Sequence, residues 1–97
     1  LGNVTGGLSG PAIKPIAVAM LWRVWSEFRC PLIGMGGVMT GQDAAELMLA
    51  GAAAVAVGTA NFVDPTSPVR IRDELEQFCA DNDISAVAEL TGAVEMP

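Results

Sequence analysis

Apolar residues recur at helical spacing over the first long stretch of the chain. The pattern begins at Pro11, which suits the first turn of a helix, and it ends at Cys30-Pro31, so a helix of about five turns is predicted between them. The apolar stripe of this helix comprises Ile13, Ile16, Ala17, Met20, Leu21, Val24, Trp25 and Phe28.

Two shorter apolar runs, each followed by glycine, predict buried strands. Leu32-Ile33 leads into Gly34-Met35-Gly36-Gly37, and the run from Ala52 to Val57 leads into Gly58. Neither run is long enough to form a helix before its glycines. Their continuous apolar character is typical of parallel strands that are covered on both faces.

Three further helices are predicted from caps and spacing. Thr40 can cap a second helix with Asp43 three residues later, and Gly51 is placed to end it. A third helix begins near Ser67-Pro68, and a short last helix runs from Ile84 to about Leu90. The buried residues predicted for the third helix are Ile71, Leu75, Phe78 and Cys79.

The alternation of helices and strands indicates the fold class. Strands joined through helices are parallel neighbours with right-handed crossovers, and two such strands do not make a stable sheet alone. The expected fold is α/β, a C-terminal fragment of a (β/α)8 TIM barrel with about two parallel strands and three to four helices. Because a complete barrel needs roughly 250 residues, residues 1–97 are expected to form the C-terminal portion of a single domain whose upstream part is missing.

Charge and composition exclude several partners. The chain has 97 residues and a net charge of −6, with five Lys and Arg residues and no His. This charge argues against nucleic acid or an anionic membrane, and no apolar run is long enough to span a bilayer. Cys30 and Cys79 have no metal-ligand spacing, so no metal site is predicted and a cytoplasmic protein is expected. Any bound anion must be held mainly by backbone N–H groups.

Glycine-rich loops leave both predicted strands at the same, carboxyl edge of the sheet. Gly36 and Gly37 follow the first strand, and Gly58 with Thr59 follows the second. Such loops let successive N–H groups approach one anion, and a helix N-terminus behind them adds positive partial charge. The alternative is that the glycines only form tight turns. A third loop, which ends at Gly10 before a helix, favours a phosphate site instead.

Three segments of the chain together resemble the C-terminal end of class 1 dihydroorotate dehydrogenases, above all the NAD-linked catalytic subunit of type 1B. The resemblance covers nearly the whole chain, and the segments occur in the expected order. They are Gly6-Gly7-Leu8-Ser9-Gly10-Pro11-Ala12-Ile13-Lys14-Pro15, Ile33-Gly34-Met35-Gly36-Gly37-Val38 and Ala54-Val55-Ala56-Val57-Gly58-Thr59-Ala60-Asn61-Phe62.

This resemblance implies an FMN enzyme that oxidises dihydroorotate to orotate in pyrimidine biosynthesis. Carried over position by position, Gly10, Gly36, Gly37, Gly58 and Thr59 match residues that contact FMN, chiefly its phosphate. The cysteine base, the lysine near the flavin and the asparagines that hold the substrate come from upstream segments of that family. None of them has a counterpart in this chain, so no catalytic residue is assigned.

The resemblance also implies partners. Dihydroorotate and orotate are the expected substrate and product, a second subunit carrying FAD and an iron–sulfur cluster is an expected partner, and the full-length protein is expected to be an oligomer. Two alternatives stay open. One is a related FMN barrel such as a dihydropyrimidine dehydrogenase, which shares glycine-rich loops of this kind. The other is a fragment without catalytic activity of its own, and the isolated chain is expected to be inactive.

Several side chains near these segments have a structural and a functional interpretation. Lys14 is expected to be solvated rather than to approach a phosphate, and Asn61 is expected to cap its loop rather than to touch the cofactor. Cys30 is placed at the amino end of the sheet and Cys79 in the core, so neither is a base. Met35 either leans under the cofactor or fills the top layer of the barrel. The acidic residues expected on a solvated face of the third helix are Asp73, Glu74 and Glu76.

Overall fold

A computed structural model describes residues 8–93 of the chain, so Gly6, Gly7 and residues 94–97 lie outside the described residues. Two short strands alternate with helices in the order expected for βα units. In chain order the elements are a 3-10 turn Pro11–Ile13, helix α1 Lys14–Phe28, strand β1 Ile33–Gly34, helix α2 Gly41–Leu49, strand β2 Ala54–Val55, helix α3 Ala60–Val63, helix α4 Ser67–Asp81 and a 3-10 turn Val87–Leu90.

Strands β1 and β2 pair in parallel, as predicted, with Ile33 opposite Ala54. Just beyond the paired residues, the N–H of Ala56 donates to the carbonyl of Gly34 at 2.8 Å. The strand predicted over residues 52–57 is regular only at Ala54–Val55. It is short because β1 enters its glycine-rich loop directly after Gly34 and offers no further partner.

Helices cover only one face of this pair within the described residues. A Cβ atom placed on Gly34 would lie 3.1 Å from Leu21 in α1 and 3.2 Å from Leu47 in α2, so both helices pack on that face. On the opposite face Ile33 is 69% exposed, and its partner Ala54 is exposed as well. Both α1 and α2 lie on the same side, and coverage of the other face stays a prediction, because the described residues supply only two strands of the sheet. In a closed barrel the other face points to an interior that is filled by side chains from all strands.

The first helix differs from the prediction at its start. Residues Pro11–Ile13 form a 3-10 turn in which the N–H of Ile13 donates to the carbonyl of Gly10 at 3.2 Å, and the α-helix begins only at Lys14. The reason is Pro15, which has no N–H group to donate to the carbonyl four residues earlier. The residues before it tighten into the shorter bonding pattern instead.

Helix α2 lies at the centre of the core and begins as predicted. The Thr40 hydroxyl accepts from the N–H of Asp43 at 3.1 Å, and the Asp43 carboxylate accepts from the N–H of Thr40 at 3.1 Å, which is a capping box. Helix α4 packs against α2 and buries Ile71 and Cys79, as its apolar stripe predicted. The buried residues that α2 contributes are Gly41, Ala44, Ala45, Leu47 and Met48.

Two short helical elements differ from the prediction, one in its presence and the other in its start. Helix α3 lies in the segment expected to be loop, and its four residues are too few to show a periodicity. The last helical turn begins at Val87 rather than at Ile84. The N–H of Ile84 donates to the carbonyl of Cys79 at 2.8 Å and so closes the end of α4, which keeps it out of the following turn.

Gly51 and Gly58 provide a matched test of this packing. Gly51 has a φ of +133°, and a Cβ atom there would collide with the side chain of Trp25, so Gly51→Ala is expected to lower the free energy of unfolding by about 2 kcal/mol or more. Gly58 lies outside the left-handed region and has no described heavy atom within 4 Å of such a Cβ. Gly58→Ala is therefore expected to change the free energy of unfolding by less than about 0.5 kcal/mol. Urea unfolding followed by tryptophan fluorescence measures both, and equal effects would contradict the packing.

Candidate functional site

The carboxyl edge of the strand pair opens into a cleft of about 390 Å³. All five residues predicted to contact FMN line this cleft: Gly10, Gly36, Gly37, Gly58 and Thr59. The other lining residues are Ser9, Ile13, Met35, Val38, Met39, Ala56 and Val57. Three glycine-containing loops that are far apart in the sequence therefore meet at one place.

Two glycines of the loop between β1 and α2 have backbone angles that favour glycine. The φ angles are +111° at Gly36 and +76° at Gly37. A Cβ atom on Gly37 would lie 2.8 Å from the Cβ and 2.9 Å from the backbone nitrogen of Lys14. The loop therefore passes directly against the start of α1, which brings it next to the loop that ends at Gly10.

Backbone N–H groups of this cleft have no acceptor in the described part of the chain. Within residues 8–93, the N–H groups of Gly36, Gly37 and Thr59 donate neither to a carbonyl nor to a side chain. Successive N–H groups in a turn with positive φ form a concave donor surface that suits an anion. Phosphate oxygens are strong acceptors for such donors.

The cleft also leaves room for a ligand, and it carries no charge of its own. A Cβ atom on Gly10 or on Gly58 would meet no described heavy atom within 4 Å, so packing of the described residues does not require glycine at either position. No Lys, Arg, Asp or Glu is among the lining residues. An anion here would be held by backbone donors and the Thr59 hydroxyl, as the sequence predicted. The residues present fit a phosphate group.

The N-terminus of α2 is partly occupied by groups of the protein itself. The N–H of Gly41 donates to Glu74 Oε1 at 2.9 Å, and the N–H of Asp43 donates to Thr40 Oγ1 at 3.1 Å. Two N–H groups of the first turn are therefore satisfied within the chain, and the expectation that this helix terminus attracts the anion stays a prediction. Glu74 was expected on a solvated face; its side chain is 40% exposed and also accepts from Gly41 and Arg70.

The sequence predicted a solvated Lys14, but the structure pairs this lysine with two carboxylates. Its Nζ lies 2.7 Å from Asp43 Oδ1 and 2.7 Å from Glu46 Oε2, and the Lys14 side chain is only 25% exposed. The lysine therefore places one positive charge between two carboxylates of α2. Sequence reasoning missed this pairing because Lys14 and Asp43 are 29 residues apart and meet only through the packing of α1 on α2.

Arg70 holds the same loop from the other side. Its Nη2 donates to the carbonyl of Met39 at 2.8 Å, and its Nη1 donates to Glu74 at 3.1 Å. The spacing of Arg70 and Glu74 on one helix was visible in the sequence. The contact with Met39 was not, because it depends on how α4 packs against α2.

The pKa shifts of the Lys14–Asp43 pair follow from these contacts. Burial raises the pKa of Asp43, but hydrogen bonds from Lys14, Met39 and Thr40 outweigh it and lower this pKa below its ordinary value of 3.8. Hydrogen bonds to Asp43 and Glu46 raise the pKa of Lys14 above its ordinary value of 10.5. Both groups are therefore charged at neutral pH.

Four further side chains, Asn61, Cys79, Cys30 and Met35, were given an interpretation from the sequence. Asn61 Nδ2 donates to the carbonyl of Val57 at 2.7 Å, which confirms its capping role. Cys79 is 5% exposed within the core, as predicted, and Cys30 is exposed before β1. Met35 is 62% exposed and lines the cleft, and both interpretations of its role stay open.

The described residues contain neither a membrane-spanning helix nor a cluster of metal-ligating side chains. Over residues 8–93, no helix is both long and apolar enough to cross a membrane. In that same range, no three or more His, Cys, Asp or Glu side chains come together as a metal site would require.

Fold and cleft together define βα units of the kind that build a (β/α)8 barrel, with a cleft of about 390 Å³ at the carboxyl edge of their strands. The family model for dihydroorotate dehydrogenase matches residues 1–79, and the chain belongs to this family. The resemblance seen in the three quoted segments is thereby confirmed.

Curated relatives and solved structures agree with this family. The chain is 58% identical over 96 residues to the dihydroorotate dehydrogenase B (NAD(+)) catalytic subunit of Geobacter sp. strain M21, and 59% identical to that of Geobacter sulfurreducens. In both cases 99% of this chain and 32% of the relative are covered, so the chain spans about a third of the length of these relatives.

A solved structure of DHODH from Eimeria tenella in complex with ferulenol superimposes with a TM-score of 0.88 at 31% identity. The match covers 96% of this chain and 26% of that chain, and the ligand-free form from the same organism also matches with a TM-score of 0.88. The predicted fold class, part of a TIM barrel, is confirmed.

The contribution of Asp43 to stability is expected to depend on pH in a defined direction. Since folding lowers its pKa, the contribution is fully present above pH 3.8 and is lost as the pH falls through the lower folded value. Asp43→Asn is expected to lower the free energy of unfolding by about 2 kcal/mol at pH 7. Urea unfolding of both proteins between pH 7 and about pH 2 measures this, and the difference should shrink toward the acid end. A constant difference would contradict the ion pair.

Proposed function

We propose that this chain supplies the FMN-phosphate-binding loops of an enzyme that oxidises dihydroorotate to orotate in pyrimidine biosynthesis. The observation that supports this most is the meeting of Gly10, Gly36, Gly37, Gly58 and Thr59 on one uncharged cleft. Membership of the dihydroorotate dehydrogenase family supports the reaction and its substrate class.

The backbone donors of the cleft would bind the phosphate group. Gly36, Gly37 and Thr59 line the cleft, and their N–H groups have no acceptor in residues 8–93. The positive φ angles of Gly36 and Gly37 are already of the kind that forms a concave donor surface. Gly58 leaves the space that the phosphate requires. When bound, FMN would supply the acceptor for the two electrons removed from dihydroorotate.

The described cleft has no group suited to proton abstraction. Its hydroxyl-bearing residues are Ser9 and Thr59, and it contains no Cys, Lys, Asp or Glu. Cys79 is buried in the core and Cys30 precedes β1, away from the carboxyl edge. The base and the substrate contacts are therefore assigned to other parts of the barrel.

The wider arrangement is proposed on the basis of the family match. We infer that residues 1–97 form the C-terminal portion of a single barrel domain and that the full-length protein is a cytoplasmic oligomer. The name "catalytic subunit" of the relatives supports a partner subunit, for which we propose an FAD and iron–sulfur protein that passes electrons to NAD. The family match favours dihydroorotate over the dihydropyrimidine alternative.

Gly58→Ala tests the cofactor assignment in the full-length enzyme. The added methyl group meets no described protein atom but enters the space assigned to the phosphate, so FMN affinity is expected to fall by roughly tenfold or more at unchanged thermal stability. Gly36→Val is a weaker test, because a φ of +111° already makes a branched side chain unfavourable there. Fluorescence titration with FMN measures the affinity. An unchanged dissociation constant would exclude Gly58 from the site.

The isolated 97-residue chain is expected to have no dehydrogenase activity. Its described cleft contains the donors for a phosphate and no acid–base group. Dihydroorotate-dependent reduction of a dye by the purified chain with added FMN is the measurement. The curated subunit of Geobacter sulfurreducens, which is 59% identical over the shared region, serves as the positive control. Turnover by the isolated chain would refute the assignment of the base to other parts of the barrel.

A further inference from the structure

We propose that Lys14 and Asp43 are positioning residues that hold two phosphate-binding loops in register, and that Lys14 also offsets part of the negative charge beside these loops. This inference rests on the proposed function, since it names the groups that keep that site in shape. Neither side chain lines the cleft, so both act through the backbone that does.

The Asp43 carboxylate uses each of its oxygens for a different segment. Oδ1 accepts from Lys14 Nζ at 2.7 Å, which ties it to the start of α1. Oδ2 accepts from the N–H groups of Met39 at 3.0 Å and of Thr40 at 3.1 Å, which ties it to the loop after β1. One carboxylate therefore joins the Gly10 side of the cleft to the Gly36-Gly37 side.

The backbone of Gly37 lies directly against Lys14, so the connection between the two loops is short. Gly37 passes so close to Lys14 that a Cβ atom on it would lie 2.9 Å from the Lys14 nitrogen. Met39 lies two residues beyond Gly37 and lines the cleft itself. A shift of the Lys14 side chain or of the Asp43 carboxylate is therefore transmitted to the N–H groups that face the ligand.

Charge gives the pair a second role. Asp43 and Glu46 bring two negative charges to the helix behind a site for a phosphate, and each would repel it. The ammonium group of Lys14 lies 2.7 Å from both carboxylates, so the three side chains together carry a net charge of −1. Because this lysine is engaged by two carboxylates, we assign it no direct contact with the phosphate.

The test compares FMN with riboflavin, which lacks the phosphate, in the full-length enzyme and its variants. Lys14→Met keeps the length of the side chain and removes the charge, and it is expected to lower the preference for FMN over riboflavin by about tenfold. Asp43→Asn is expected to lower the same preference. Lys14→Arg keeps the positive charge, so this variant is expected to retain most of the preference. Arg23→Met is the matched control, because Arg23 is exposed on the same helix and forms no ion pair in residues 8–93.

Each outcome decides the question. A lower FMN preference in both Lys14→Met and Asp43→Asn, with riboflavin affinity and the Arg23→Met control unchanged, supports the positioning role. A tighter binding of FMN by Asp43→Asn would mean that the loss of a negative charge, or a contact of freed Lys14 with the phosphate, outweighs positioning by Asp43, which overturns it. Equal loss of FMN and riboflavin means a purely structural role and also overturns it. If the unaltered enzyme itself shows no preference for FMN, the proposed function fails instead.

Discussion

The arrangement of the cleft depends on the ion pair and the hydrogen bonds of the Asp43 carboxylate. It completes the capping box of α2, pairs with Lys14 of α1 and receives the Met39 N–H of the loop between β1 and α2. A partly buried carboxylate with this many donors stays ionised at neutral pH, because the hydrogen bonds outweigh the cost of burial. Together with the Lys14–Glu46 ion pair, these contacts add polar connections to the apolar packing of α1 on α2.

The proposed phosphate site lies in an acidic chain. The protein has a net charge of −6, and the N–H of Gly41 at the N-terminus of α2 already donates to Glu74 of α4. The attraction for an anion then depends on uncharged backbone donors at Gly36, Gly37 and Thr59, whose dipoles are set by the loop conformation. Such donors lose their alignment when the loops shift. The role proposed for Lys14 and Asp43 is to maintain this alignment.

Local pattern was a good guide wherever a short stretch decides the structure. The capping box at Thr40 and the buried residues Ile71 and Cys79 of α4 follow from spacing alone. Helix α3 was not predicted because it has only four residues, about one helical turn, which is too short for an apolar stripe to repeat. Burial of both strand faces was predicted from apolar composition, which reports what a strand can bury but not which neighbours are present.

The sequence by itself determined the order of the longer helices and the strands, the parallel pairing and five of the residues that line the cleft, because each depends on neighbours in the chain or on a family motif. Tertiary structure alone decided how those residues are supported. Lys14 meets Asp43, and Arg70 meets the carbonyl of Met39, only when α1 and α4 pack on α2. Such contacts join side chains about thirty residues apart, and no local spacing encodes them. The physical reason is that an ion pair depends on distance in space, whereas a sequence pattern records only distance along the chain.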